Sequence, residues 1–500
     1  MNTILNAMKQ MDNVKLTENG GISYKSTMNA VMDLFAMGGA YRSRSDADVL
    51  HLFKKAMEEN ELYALRCLFY LRDCRGGQGE RRFFRICAKY LANEYTEALR
   101  RNLKHIPLFG RWDDLYVFVG TPLEKDAFDI MYHQLALDVQ CKTPSLLAKW
   151  LKSENTSSRE SRKLAARTRE YFEMTPRQYR KTLSFLRERI NVLERLMSAG
   201  RWDEIEFDKI PSKAGLIYRN AFARHDLERA KLDANVQSYA DFAKDKDTKV
   251  NAKTLNPCEV VREATVIGHK DFDNTDRLMV NKYWDNLKDY FNGANFNGVA
   301  VVDTSGSMTW GAETIHPIDV AISLGMYCAE KCNVKSPWHG HYISFSRHAR
   351  LVPVEGFDFV DKVNRIYHKN LCENTNIESV FDLILDLAIL RSVSQEDIPQ
   401  NIIIISDMEF DRCSIGANSN QINSVMENMA QVWARYGYKM PHLVFWNVNA
   451  RNDNIPMKDN GNVTFVSGYS PVIFEMIMTG KTGVDLMLDK LNSERYSVIN

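Results

Sequence analysis

No CxxC pair occurs among the nine cysteines of this 500-residue chain, and their count is odd. That argues against a disulfide framework and for reduced thiols in a cytosol-like compartment. No apolar run approaches the roughly 18 residues that a membrane span needs, and the opening MNTILNAMKQMDN holds no apolar stretch of signal-peptide length. A cytoplasmic protein without a membrane partner is the expectation. The residues present are those of an ordinary globular chain, 45% hydrophobic and 26% charged, long enough for two or three domains. A net charge of +1 hides an asymmetry. Residues 1–250 carry 43 Lys and Arg against 34 Asp and Glu, whereas residues 251–500 carry 22 against 30. A basic half followed by an acidic half suggests two modules with different partners.

The first half reads as helices with short breaks. TPRQYRKTLSFLRERINVLERLMSAG predicts one long helix. Thr175 stands at its N-cap, Pro176 in the first turn, Gln178 closes a capping box, and Gly200 ends it. Tyr179, Leu183, Leu186, Ile190, Leu193 and Met197 form its apolar stripe. GRWDDLYVF at Gly110 is echoed by GRWDEIEF at Gly200, which hints at duplicated helical units and is read as a helix-packing corner. RDCRGGQGERR is read as a tight turn between two helices and not as a disordered RNA-binding tail. Residues 141–230 hold 20 Lys and Arg against 12 Asp and Glu. Arg159, Arg162, Lys163, Arg167, Arg169, Arg177, Arg180, Lys181 and Arg187 are the candidate nucleic-acid-binding residues, either a phosphate-tracking surface or a solvated helix face.

The second half alternates strand and helix, which predicts a doubly wound, mostly parallel α/β sheet. Ligands of such sheets bind at the carboxyl ends of the strands. At one such end lies NFNGVAVVDTSGSMTW, and Asp407 ends another strand, NIIIISDME. Four chemistries that begin with similar residues fail on what is missing. An aspartic protease needs D-T-G twice in an all-β body. A haloacid-dehalogenase-type phosphatase needs a second acid where Ser305 stands. A serine nucleophile needs G-x-S-x-G with a histidine, and a P-loop needs a glycine-rich loop ending in lysine. What remains is a divalent-metal site of the D-x-S-x-S kind, formed by Asp303, Ser305 and Ser307 and completed by Thr375 and Asp407 on separate loops. Five oxygen donors, few of them charged, suit Mg²⁺ or Mn²⁺.

DTSGSM, Thr375 and ISDMEFD together resemble a von Willebrand factor A domain with an intact metal-ion-dependent adhesion site (MIDAS). The resemblance carries the ligand role to Asp303, Ser305, Ser307, Thr375 and Asp407. One departure is that Glu373 and Asn374 precede Thr375 where many A domains have glycines. A helical-repeat half joined to such a domain resembles the Ro autoantigen (TROVE-module) proteins. It is closer still to their relatives in plants, bacteria and phages known as a domain of unknown function. LRDCRGGQGERRFFR, the GRWDD corner, IPSKA, DTSGSM and ISDMEFD carry that likeness. The resemblance implies a basic, HEAT-like helical-repeat domain over 1–290 and an A-like domain over 291–500. It also implies RNA, single-stranded or a structured small RNA, as partner, as in a ribonucleoprotein.

Glu409 and Asp411 read equally as supporting carboxylates or as solvated loop acids, and His339, His341 and His348 as packing or surface residues before a zinc site. Three functions compete. The first is an RNA binder whose Mg²⁺-dependent A domain is a second binding surface, open to a protein partner. The second is a protein-interaction scaffold that grips acidic groups through the metal, without nucleic acid. The third, an enzyme, ranks lowest because no general base stands near the metal ligands in sequence, so no catalytic residue is assigned.

Overall fold

The computed structural model of the chain describes residues 9, 12–233, 235–294, 296–309, 315–369, 375–412, 424–459 and 461–500. The chain divides into two compact units, one of residues 1–67 with 252–495 and one of residues 68–251 with 496–500. These compact units do not follow the boundary expected at 290/291. The segment that reads as the end of the helical half, Pro257–Ile267 and Thr275–Asp285, groups with the sheet, and so does the N-terminus. The apolar stripe of Pro257–Ile267 is what places it there: Val260, Val261 and Ala264 are fully buried. Arg277 adds a two-pronged ion pair to Asp358, with both N–O distances at 2.7 Å.

The first unit opens with a short hairpin, β1 (Val14–Leu16) and β2 (Ile22–Tyr24). Its turn crosses residues 409–411 so closely that a Cβ on Gly21 would lie 2.5 Å from the Phe410 carbonyl oxygen. Only glycine fits there.

The strands that follow are β3 (Gly298–Asp303), β4 (His341–Phe345), β5 (Ala349–Pro353), β6 (Asn401–Ser406), β7 (His442–Asn447) and β8 (Val463–Ser467). They form a six-stranded sheet in the order β5-β4-β3-β6-β7-β8. All neighbours pair in parallel except β4 with β5. The mixed, mostly parallel sheet with flanking helices is the α/β architecture expected. The continuous apolar runs of β3 and β6 are the mark of strands covered on both faces, and Val301, Val302 and Ile402 to Ile405 are fully buried. The strand order reverses between β3 and β6, whose carboxyl ends hold Asp303 and Asp407.

On Glu378–Leu390, Asp382 sits one helical turn from both Glu378 and Asp386. Burial first, and these two acids second, raise its carboxyl from 3.8 to about 6. The folded protein thus holds this proton more tightly than the unfolded chain, so stability is fully present below about pH 4 and falls as pH rises toward 6. Asp382→Asn should stabilise the protein by about 1 kcal/mol near neutral pH, discounted for partial exposure, and have no effect near pH 4. Urea midpoints at the two pH values check this.

The second unit is helical. The turn between Glu61–Arg72 and Arg81–Glu94 is tight as expected: a Cβ on Gly77 would lie 2.0 Å from the Tyr70 carbonyl oxygen. The expected long helix is instead two, Pro176–Arg189 and Leu193–Ser198, because Asn191 takes a left-handed φ of 48°. Its capping box between Thr175 and Gln178 is present. The two GRWD copies differ in use. Trp202 is buried against His225, with ring centroids 3.9 Å apart, whereas Trp112 is half-buried and Asp114 accepts a 2.6 Å bond from buried Arg72. Arg72→Ala should cost about 3 kcal/mol, because it strips a buried carboxylate of its closest cation. Chemical denaturation checks it.

Candidate functional site

The site forms where β3 and β6 end. Apolar β3 runs into Asp303, which is fully buried. Its carboxyl accepts a 2.9 Å bond from the Ser305 backbone N–H and a 2.5 Å bond from the Ser406 hydroxyl. The turn of 304–306 swings Ser305 and Ser307 to the same side, with their hydroxyl oxygens 3.2 Å apart. The Asp407 carboxyl is fully buried, accepts from the Glu409 N–H at 3.3 Å and lies 3.2 Å from the Arg451 guanidinium. Burial, then the neighbouring Asp407, push the Asp303 carboxyl well above the usual carboxylate range. Burial also raises Asp407, with Arg451 opposing it. Met408, between Asp407 and Glu409, holds a left-handed φ of 65°, a strained conformation for a residue with a side chain.

Asp303, Ser305 and Ser307 thus stand in one hydrogen-bonded group, with the Asp407 carboxyl near enough to Asp303 to raise it. Thr375 is buried alongside, tied by its carbonyl to the Asp411 N–H at 3.0 Å, and makes no hydrogen bond to the other four. Its hydroxyl accepts from Asn19 at 3.3 Å. The donor set suits a hard cation. Cis oxygen ligands at 2.0–2.1 Å in an octahedron lie about 2.9 Å apart, close to the 3.2 Å between the two serine hydroxyls. No group of three His, Cys, Asp or Glu is placed to hold a metal among the described residues, so neither a histidine zinc site nor an all-carboxylate site competes. His339 instead donates its Nδ1–H to the Cys332 carbonyl at 3.2 Å.

Sequence reasoning missed the cover on this site. Glu409 is fully buried, and its carboxyl accepts from the Glu18 N–H and from Asn452, each at 2.9 Å. It is no solvated loop acid. Thr17 donates to the Phe410 carbonyl at 2.6 Å, Asn19 to the Glu409 carbonyl at 2.6 Å, and Arg451 pairs with Glu18 at 2.9 Å. The β1–β2 turn is therefore bolted to the loop that follows β6. Asn19-Gly20 was the available signal for a hairpin; nothing local signals where it docks.

The candidate nucleic-acid residues separate into two groups. Arg167 forms a two-pronged ion pair with Glu124, and Arg169 pairs with Glu154 at 2.8 Å. Arg187 donates to the carbonyls of Ala148 and Leu151 and to the Ser153 hydroxyl. Arg162 is exposed and donates to the carbonyls of Thr156 and Ser157. Arg159, Lys163, Arg177, Arg180 and Lys181 are exposed with no polar partner among the described residues. No helix among the described residues is long and apolar enough to cross a membrane.

A family model described as a domain of unknown function (DUF2828) matches residues 17–145 and 133–292, and a second, also a domain of unknown function (DUF7788), matches residues 297–496. An uncharacterized protein of Acanthamoeba polyphaga mimivirus is 31% identical over 511 residues, covering 94% of this chain and 86% of that protein. Among solved structures, the Ro (RSR) protein of Deinococcus radiodurans aligns over 94% of this chain and 100% of that one, at 12% identity and a TM-score of 0.40. With more than half of its length matched by the first model and nearly all of it shared with the viral relative, the chain belongs to the DUF2828 family.

Proposed function

We propose that this is a Ro-like RNA-binding protein whose strand-end site holds Mg²⁺ or Mn²⁺ as a second, metal-dependent binding surface. The observation that carries the metal half is the grouping of Asp303, Ser305, Ser307 and Asp407 at the point where the strand order reverses, beside Thr375. The resemblance to a MIDAS-bearing A domain supports the same reading. A bound divalent ion would supply a positively charged ligand position for an acidic side chain or a phosphate oxygen. The protein's own part is to fix the two serine hydroxyls and to keep the two carboxylates dry.

The site binds and does not catalyse. Each oxygen of the two carboxylates is already engaged, by the Ser305 N–H, the Ser406 hydroxyl, the Glu409 N–H or Arg451. The RNA half rests on the five exposed, unpaired cations of Arg159–Tyr171 and Pro176–Arg189, which repeat along successive helices. Co-purification tests it. Protein isolated at low salt should carry ribonuclease-sensitive nucleotide absorbance and should rebind labelled RNA. Protein free of nucleic acid that binds no RNA at about 50 mM salt would favour the protein-scaffold reading.

A further inference from the structure

The turn after Arg72 and the corner at Gly110 gather five cations around two carboxylates. Asp114 is fully buried and is satisfied by Arg72 at 2.6 Å, by Arg85 Nε at 2.9 Å and by the Arg111 backbone N–H at 3.0 Å. Asp113, also buried, is left to face the rest. Arg81 lies at 2.7 Å from it, Arg85 at 3.2 Å, Arg111 at 3.5 Å and Lys152 at 4.0 Å. With Arg72 counted, five positive charges meet two negative ones.

Among these residues the network holds an excess of three positive charges. Its geometry is also incomplete. The buried Arg81 Nε lacks a hydrogen-bond partner among the described residues, and Asp113 Oδ1 has only the Arg111 guanidinium, at 3.5 Å. Burial, and the nearby Arg85 and Arg111, depress the Arg81 guanidinium against the pull of Asp113 and Asp114. Arg81, Arg111 and Lys152 keep 40%, 32% and 28% of their side-chain surface open, so their remaining N–H donors are accessible. Aromatic rings flank them. The Arg111 guanidinium lies 4.4 Å over the half-buried Trp150 ring, and the Lys152 ammonium is 5.5 Å from the Tyr116 ring.

We propose that Arg81, Arg111 and Lys152 form a binding site for a phosphate group of single-stranded RNA, with Trp150 placed to stack an adjoining base; the choice of RNA rests on the function proposed above. A phosphate supplies negative charge and acceptors for the open N–H donors of Arg81, Arg111 and Lys152 in one group. The half-exposed indole favours a nucleotide chain over a free anion.

The test compares wild type with an Arg81→Gln/Arg111→Gln/Lys152→Gln variant, using fluorescein-labelled oligouridine for binding and inorganic pyrophosphate for thermal shift. The triple variant should lose roughly tenfold or more in oligouridine affinity, and its salt slope should fall by about one for each phosphate it no longer holds. Arg81→Lys/Arg111→Lys, which keeps charge but not the guanidinium fork, should recover part of the affinity. Should the triple variant fail to fold by far-ultraviolet circular dichroism, Lys152→Gln alone carries the comparison. Wild-type affinity and slope in a folded variant would overturn the site and leave RNA binding intact. If wild type ignores oligouridine but pyrophosphate stabilises it and not the variant, the RNA reading falls and the phosphate site stands. No response of wild type to either probe would overturn both.

Discussion

Asp303→Asn should abolish the thermal stabilisation that millimolar Mg²⁺ or Mn²⁺ gives the wild-type protein. A ligand at a hundredfold excess over its Kd stabilises by about 2.7 kcal/mol, which is roughly 4 °C in Tm for a unit of this size. The variant should still fold without metal. Asparagine keeps an acceptor for the Ser305 N–H, its amide N–H can donate to the Ser406 hydroxyl once that hydroxyl turns, and it removes one of two adjacent buried carboxylates. Differential scanning fluorimetry with added metal and with chelator reads both effects. A wild-type Tm indifferent to either ion would make the strand-end group a set of structural hydrogen bonds and nothing more.

Reversing the five unpaired cations to glutamate (Arg159, Lys163, Arg177, Arg180 and Lys181) should weaken RNA binding most at low salt. The slope of log affinity against log salt should flatten by about 0.7 for each of them that touches a phosphate. Arg167, Arg169 and Arg187 make poor choices for such a variant. Their guanidiniums are held by Glu124, by Glu154 and by the carbonyls of 148–151, so reversal there would damage packing as well as charge. Metal-dependent stabilisation should be unchanged in the five-site variant. An RNA affinity equal to wild type would place the exposed cations on a merely solvated face.

Much of this was legible from residues alone because the signals are local. The strands of the sheet announce themselves as apolar runs between turns. D-x-S-x-S after one strand and Asp407 after another point to the same sheet edge once the strands are parallel. What was not legible is what distant segments do to one another. Nothing in Thr17 to Gly21 says that it will close over residues 409–411, and so Glu409 could equally have been solvated. Nothing in the spacing of the arginines on Arg159–Tyr171 tells which will meet Glu124 or Glu154. The compact units part from the expected 290/291 boundary for the same reason, although the two matched families divide close to it, at 292 and 297. Pro257–Ile267 is helical like the residues before it, and only its burial against the sheet unit gives its allegiance.

The docking of the β1–β2 turn has a consequence for how the chain is made. Thr17 meets Phe410 across 393 residues of sequence. At synthesis rates of about 5–20 residues per second, the turn waits roughly 20–80 s for its partner to be made. Most of the helical unit, residues 68–251, is complete long before then. The two-stranded hairpin is too small to be stable alone, so it threads through this interval unfolded and locks only when the loop after β6 is in place. The strand-end site is therefore closed by the first-made segment only after residues 409–411, and the Arg451 that pairs with Glu18, have been made.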